Sequence, residues 1–167
     1  DDNSSQKVLI LSNLIRLVEA KKGVLIVDLA CAQGFFTREF AKTGAKVIGI
    51  DISPELIDIA KQDKTVEYHV SEAHRLDFLQ NQSVDKILII LSLQNIENVQ
   101  EVIREVSRVL KTKGKLFIVL NHPAFRIPKE SSWGWDDKLK AQHRRLDSSL
   151  SESREQIQMH PGNKPWE

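Results

Sequence analysis

The sequence lacks a second cysteine, a strong net charge and any long apolar run. Its one cysteine, Cys31, excludes an internal disulfide, so we expect a reducing compartment, the cytoplasm. A net charge of +1 provides no long-range field that would attract nucleic acid. The longest aliphatic run, residues 87–91, is far too short to span a membrane. The histidines show no metal-ligand spacing, so no metal site is predicted.

Internal repeats and low-complexity segments are also absent, and the rest of the composition is that of an ordinary globular protein. Hydrophobic residues make up 41% of the 167 residues and charged residues 28%. This length suits one domain with one core. We expect residues 1–128 to form its main body. Residues 129–167 are expected to be a polar, partly helical tail or substrate lid of the same domain, with a helix within residues 136–156.

Apolar runs suited to buried strands alternate with stretches of helical periodicity. A first helix is expected before residue 21, and later helices begin near Phe35, at Pro54 and after Asn98. The expected strands are at residues 24–27, 46–50, 66–70, 84–91 and 115–120. Five strands that alternate with helices indicate an α/β fold.

Residues 24–51 are the most informative stretch. The first strand closes with Asp28, a small-residue turn at 30–34 leads into a helix, and the second strand ends in Asp51. In parallel sheets the carboxyl ends of such strands share one edge, where nucleotides bind. A carboxylate about 20 residues after the turn commonly accepts hydrogen bonds from ribose hydroxyls. The stretch therefore predicts a nucleoside site.

The turn sequence DLACAQG, residues 28–34, resembles the first motif of the class I S-adenosylmethionine-dependent methyltransferases, acid-x-Gly-x-Gly-x-Gly. Small residues recur at every second position, whereas the dinucleotide fingerprint needs a Gly-x-Gly-x-x-Gly spacing. Ala30 and Ala32 stand where the family has glycines. If those positions require a positive φ, each alanine is strained by roughly 1–2 kcal/mol.

Two later stretches are similar to the same family, and the resemblance covers about residues 20–128. They are Glu72-Ala73 after the third strand and the helix-to-strand passage at residues 105–116. The resemblance implies a Rossmann-like, doubly wound sheet of five parallel strands in the order 3-2-1-4-5. Relatives add a C-terminal antiparallel hairpin beside strand five. We find no such pair and predict that it is missing. Either the chain is a fragment, which we favour, or the strand-five edge is open to self-association.

The resemblance implies S-adenosylmethionine as cofactor and methyl transfer to a small-molecule acceptor. Asp28 would orient the methionine ammonium, Asp51 would bind the ribose, and Glu72 with Ala73 would hold the adenine. The cofactor-binding residues expected on this basis are Asp28, Ala30, Ala32, Gly34, Asp51, Ile52, Glu72, Ala73 and Leu91.

The acceptor is expected to bind in the loops after strands four and five. Gln94 and Asn95 would hydrogen-bond it or serve only as turn formers. Arg126 would bind an acidic group or face solvent. His122 is the candidate general base, because its ordinary pKa suits proton removal near neutrality, and ordering of its loop is the alternative role.

Two other functions stay open at this point. A methyltransferase-like binding module without catalysis is suggested by Ala30, Ala32 and the apparently missing hairpin. A nicotinamide-dependent oxidoreductase is disfavoured by the glycine spacing.

Overall fold

A computed structural model describes residues 5–122 and 131–147 of the chain. The elements in chain order are α1 (Ser5–Val18), β1 (Leu25–Leu29), α2 (Phe35–Ala41), β2 (Lys46–Asp51), α3 (Pro54–Ala60), β3 (Glu67–Val70), β4 (Val84–Ile90), a short 3₁₀ turn (Leu93–Asn95), α4 (Val99–Val109), β5 (Leu110–Val119), β6 (Ser131–Asp136) and β7 (Ala141–Leu146). They belong to two compact units, one ending at Leu120 and one beginning at Asn121. Within the described ranges, no helix has the length and apolarity needed to cross a bilayer.

The first unit contains a five-stranded parallel sheet in the order β3-β2-β1-β4-β5. This confirms the predicted α/β architecture and strand order. Most residues of the central strands β1 and β4 are buried and aliphatic, because helices cover both faces of such a sheet. The register aligns Asp28 of β1 with Gly49 of β2 and Leu88 of β4. The carboxyl ends of the strands therefore form one common edge.

Alternate residues of the central strands enter separate cores on the two faces. Val27, Leu29 and Ile89 pack on the side of α4, whose own buried residues are Val102, Val106 and Val109. Ile26 and Leu88 pack on the opposite side, and the remaining members of that core are Leu14, Val18, Phe40, Ala45, Val47 and Ile90. Each fully buried aliphatic side chain contributes about 1.5–3 kcal/mol to the stability of the folded chain, relative to an exposed one. The strands that end at the candidate site are thus held in place by a packed hydrophobic core on each face of the sheet.

β5 begins directly after α4, at Leu110, and not at residue 115 as predicted. Residues 111–114 are extended and belong to the strand, and the ladder with β4 shifts register between Val84 and Lys86. A Cβ added at Gly114 would lie 2.9 Å from the carbonyl oxygen of Lys111. Gly114 therefore permits a close backbone approach within an irregular strand.

The predicted absence of a C-terminal hairpin is wrong. β6 and β7 pair antiparallel from Ser131 opposite Leu146 to Asp136 opposite Ala141. In the turn, the Asp136 carboxylate accepts hydrogen bonds from the N–H groups of Lys138 at 2.8 Å and Leu139 at 3.0 Å. The helix predicted within residues 136–156 is also wrong as far as residue 147, and residues 148–156 lie outside the described residues.

Candidate functional site

The turn between β1 and α2 places three alternate residues in the left-handed backbone region. Ala30, Ala32 and Gly34 have φ values of 57°, 50° and 75°. The Cys31 N–H donates to the Ile50 carbonyl oxygen at 2.9 Å, which fastens the turn to β2. Each alanine in this region is strained by about 1–2 kcal/mol. Strained residues of this kind concentrate at functional sites, and here they line the carboxyl edge of the sheet.

Asp51, at the end of β2, is hydrogen-bonded to the same turn. One carboxylate oxygen accepts from the Ala32 N–H at 2.8 Å, and the other accepts from the Ser53 N–H at 3.0 Å. Asp51 is 7% exposed. Each oxygen has a second lone pair, so the carboxylate has capacity for further donors such as hydroxyl groups.

Asp28 is the most deeply buried carboxylate of the site, at 2% exposure. It accepts a hydrogen bond from the Thr37 hydroxyl of α2 at 2.6 Å. Burial raises the pKa of Asp28 to about 7; the Thr37 hydrogen bond opposes this rise and the charge of Asp51 adds to it. A cation placed beside such a carboxylate favours its ionised form. The surroundings of Asp28 therefore fit a positively charged ligand group.

Tyr68 of β3 packs beneath the turn, a contact that the sequence reasoning missed. Its ring covers Gly49, its partner in β2, and a Cβ added at Gly34 would lie 2.8 Å from two of its ring carbons. The Tyr68 hydroxyl is buried. Gly34 is thus required both for its positive φ and for space. A glycine within a strand was the available sequence signal of this close approach.

Cys31 in the turn is buried and free. Burial is the main cause that raises the pKa of its thiol, and the charge of Asp28 adds to the effect. Because the thiolate is the reactive form, this raised pKa disfavours a nucleophilic role for Cys31.

A cavity of about 340 Å³ opens beyond Asp51, at the carboxyl ends of β2 and β3. Its lining residues are Ile52, Val70, Ser71, Glu72, Arg75, Asp77 and Phe78. Ile52 is 66% exposed and Phe78 is 43% exposed. Apolar side chains left open to solvent beside a few polar groups are typical of a ligand pocket.

The two residues expected to bind adenine, Glu72 and Ala73, differ in whether they line this cavity. Glu72 lines it, and its carboxylate lies 3.5 Å from His74 Nε2 and 3.8 Å from an Arg75 guanidinium nitrogen. Ala73 is half-buried and packs against the core on the α4 side. The structure thus brings Ile52 and Glu72 together at one cavity, whereas Ala73 contacts the protein interior.

The segment after β4 forms the other flank of the sheet edge. Leu91 has a positive φ of 55°, and the side-chain amide of Gln94 donates to its carbonyl oxygen at 2.7 Å. Gln94 and Asn95 are exposed. The Ser92 hydroxyl is buried without a hydrogen-bond partner among the described residues. Since an unsatisfied buried hydroxyl is unfavourable by about 1–3 kcal/mol, Ser92 is a further candidate ligand contact, one that the sequence reasoning missed.

The remaining candidates belong to the second unit. His122 follows β5 and is exposed. Arg126 lies outside the described residues. Across residues 5–122 and 131–147, no three His, Cys, Asp or Glu side chains are grouped so that they could hold a metal ion.

Comparison with known proteins places this geometry in a family. Residues 27–118, more than half of the chain, match the family described as "Methyltransferase domain". A ubiquinone biosynthesis O-methyltransferase of Xanthomonas oryzae pv. oryzae is 31% identical over 128 residues, which are 71% of this chain and 54% of that protein. A demethylmenaquinone methyltransferase of Tropheryma whipplei is 33% identical over 113 residues, 65% of this chain and 46% of that protein. The chain spans about half the length of these curated relatives.

A solved structure shares the fold as well. The crystal structure of an S-adenosylmethionine-dependent methyltransferase from Mesorhizobium loti is 26% identical, with a TM-score of 0.70. The match covers 83% of this chain and 64% of that one. The sequence matches the family, the sheet has the expected parallel strand order, and the candidate site lies at the turn after β1. The chain therefore belongs to the class I S-adenosylmethionine-dependent methyltransferase family.

Proposed function

We propose that this protein binds S-adenosylmethionine and transfers its methyl group to a small-molecule acceptor. The observation that carries the proposal is the arrangement of Asp28, the strained turn and Asp51 at one sheet edge, beside the cavity that Ile52 and Glu72 line. The two relatives described above, a ubiquinone biosynthesis O-methyltransferase and a demethylmenaquinone methyltransferase, support a small-molecule acceptor.

The residues present fit such a donor. The buried Asp28 would pair with the methionine ammonium, because this cation would compensate the unfavourable burial of the carboxylate. Asp51 would accept hydrogen bonds from the ribose hydroxyls through its free lone pairs. Ile52 would contact the adenine ring and Glu72 its amino group, with Ala73 behind them. Backbone groups of Ala30, Ala32, Gly34 and Leu91 would complete the binding site.

The donor supplies a methyl group already activated by its sulfonium, so the chain mainly has to hold two reactants in line and exclude water. Positioning of this kind contributes on the order of 7–11 kcal/mol to catalysis. Gln94, Asn95 and Arg126 are proposed to bind the acceptor. His122 is proposed to take a proton from the acceptor atom, since a neutral imidazole is a base near neutral pH.

Two further properties are proposed, the compartment and self-association. The buried free thiol of Cys31 supports a reducing compartment, the cytoplasm. β5 lies at one edge of the five-stranded sheet, and its Ile118 is 40% exposed. Edge strands with exposed apolar residues favour pairing with another chain, which supports self-association.

Calorimetric titration tests the proposed function. We expect S-adenosylhomocysteine to bind the wild-type chain and NADH not to bind. Asp51→Ala should abolish binding, because it removes the carboxylate proposed to hold the ribose. The matched control is Asp58→Ala, which removes an exposed carboxylate from α3 and should leave the affinity unchanged. Ala32→Gly should leave binding equal or tighter.

The outcomes separate the alternatives. Binding of neither compound by the wild type would favour an inactive methyltransferase-like module, for which the strained Ala30 and Ala32 are the specific observation. Binding of NADH alone would show an oxidoreductase. Equal affinities of the wild type and Asp51→Ala would remove the ribose assignment.

A further inference from the structure

Arg108 of α4 reaches across to the segment that connects β3 and β4. Its guanidinium donates to the carbonyl oxygens of Leu76 and Leu79, both at 3.0 Å, and to the Asn81 side-chain oxygen at 2.7 Å. Two more N–H groups donate to the two carboxylate oxygens of Glu105, at 2.8 and 2.6 Å. A single guanidinium thus makes five hydrogen bonds in its fixed planar geometry.

Glu105 completes the attachment from the same helix. One of its carboxylate oxygens accepts from the Leu76 N–H at 2.9 Å. Both peptide groups beside Leu76 are therefore held by α4, one through Glu105 and one through Arg108. The two side chains are partly buried, at 15% and 31% exposure, and the hydrogen bond from Arg108 is the main cause that lowers the pKa of Glu105.

The attached residues alternate with residues that line the cavity. Leu76 and Leu79 are buried in the core on the α4 side. Arg75 and Asp77, which flank Leu76, line the cavity together with Phe78, which precedes Leu79. Because α4 fixes Leu76 at both peptide groups and Leu79 at its carbonyl oxygen, these three side chains have little freedom to move away from the cavity.

We propose that Glu105 and Arg108 are positioning residues that set the wall of this cavity and thereby its selectivity for the base of the bound donor. The inference rests on the proposed function, in which the cavity holds the adenine. Neither residue lines the cavity, and both act through residues 75–79.

The pair one turn earlier on α4 is an ion pair without this attachment. Arg104 donates to Glu101 with the same spacing, but the two side chains are 72% and 51% exposed. In the described part of the chain, neither makes a hydrogen bond to residues 71–83. The pair at 101 and 104 therefore provides a matched control.

The test compares Arg108→Lys with the control Arg104→Lys. Lysine keeps the charge but cannot reproduce the planar set of five donors. Affinities for S-adenosylhomocysteine and S-inosylhomocysteine are measured by calorimetry at a temperature at which circular dichroism shows every variant to be folded. We expect Arg108→Lys to weaken S-adenosylhomocysteine binding at least tenfold and to reduce the preference for adenine over hypoxanthine. Arg104→Lys should change neither value by more than twofold.

A second variant covers failure of Arg108→Lys to fold. Glu105→Gln keeps an oxygen for the Leu76 N–H but removes the charged partner of Arg108, and a loss of base preference is expected here too. Amide hydrogen exchange at residues 75–79 should accelerate in both variants without ligand. Unchanged base preference in a folded variant would overturn the inference alone. A wild type that binds no S-adenosylhomocysteine would instead remove the proposed function and this inference with it.

Discussion

Asp28 is kept in the folded chain at a cost in stability. Its ordinary pKa is 3.8, and burial raises the pKa to about 7 in the folded state. Between these two pH values the folded chain binds more protons than the unfolded chain, so stability falls as pH rises through this window. The difference between the two pKa values corresponds to a loss of roughly 4 kcal/mol in the free energy of unfolding once the carboxylate is ionised. A residue that is unfavourable for the empty fold but suited to a cation is typical of a binding site.

Asp28→Asn should therefore raise the free energy of unfolding at pH 8, by roughly 2–4 kcal/mol. At pH 4 the change should be small, since Asp28 is protonated in the folded wild type there. The same variant should lose affinity for S-adenosylhomocysteine, because its amide cannot balance the ammonium. Urea unfolding at the two pH values and calorimetry measure both effects. Equal free energies of unfolding of the variant and the wild type at pH 8 would show that ionisation of Asp28 does not destabilise the folded chain.

Ala30 and Ala32 could be predicted to be strained, because the family has glycines at both positions, and their φ values confirm it. Three other properties of the site could not be derived from the sequence. The bond from the Ala32 N–H to Asp51 and the packing of Tyr68 on Gly34 join residues distant in sequence, and the burial of the Ser92 hydroxyl depends on the fold around it. Such contacts depend on register and on side-chain direction, which composition and periodicity do not contain.

At the scale of elements, the buried strands were the easiest to predict. β1 and β4 contain short aliphatic runs with turn residues at their ends, a pattern typical of a parallel strand covered on both faces. The hairpin was missed because β7 has no such pattern, as all of its residues are exposed. Within the range predicted to be helical, Leu139 lies in the turn and Leu146 ends β7. The alternation of Trp133 and Trp135 was the signal for a strand.

The amides of the β6–β7 hairpin should be less protected from hydrogen exchange than those of the five-stranded sheet. Two-stranded hairpins are marginally stable by themselves, and β7 contributes no buried residue. Cation–π contact between Arg144 and Trp133, at 5.1 Å, adds only about 0.5–1 kcal/mol at an exposed site. We expect the amides of β6 and β7 to exchange with deuterium at least a hundredfold faster than those of β1 and β4. Similar exchange rates in all four strands, measured by mass spectrometry or NMR, would contradict this expectation.

At the scale of the whole molecule, the candidate donor site is confined to one unit. The Asp28 and Asp51 carboxylates, the turn and the cavity all precede Leu120, and the residues around them fasten β1, β2 and β3 to one another. All three tryptophans, at positions 133, 135 and 166, come after Leu120. Within the described residues, all helices precede Leu120. Far-UV circular dichroism of these helices therefore follows the first unit, and tryptophan fluorescence follows the part of the chain after Leu120.

This separation allows a thermal test of where the donor acts. A ligand present at 100 times its dissociation constant, and bound only by the folded state, adds about 2.7 kcal/mol. For a chain of this size we expect S-adenosylhomocysteine to raise the midpoint seen by circular dichroism by about 5–10 °C. NADH at the same concentration should not change that midpoint, and Asp51→Ala should remove the shift. Ligand binding stabilises the unit that holds the ligand. A shift of the midpoint seen by tryptophan fluorescence but not by circular dichroism would therefore locate the ligand in the second unit. That result would contradict a donor site at the sheet edge.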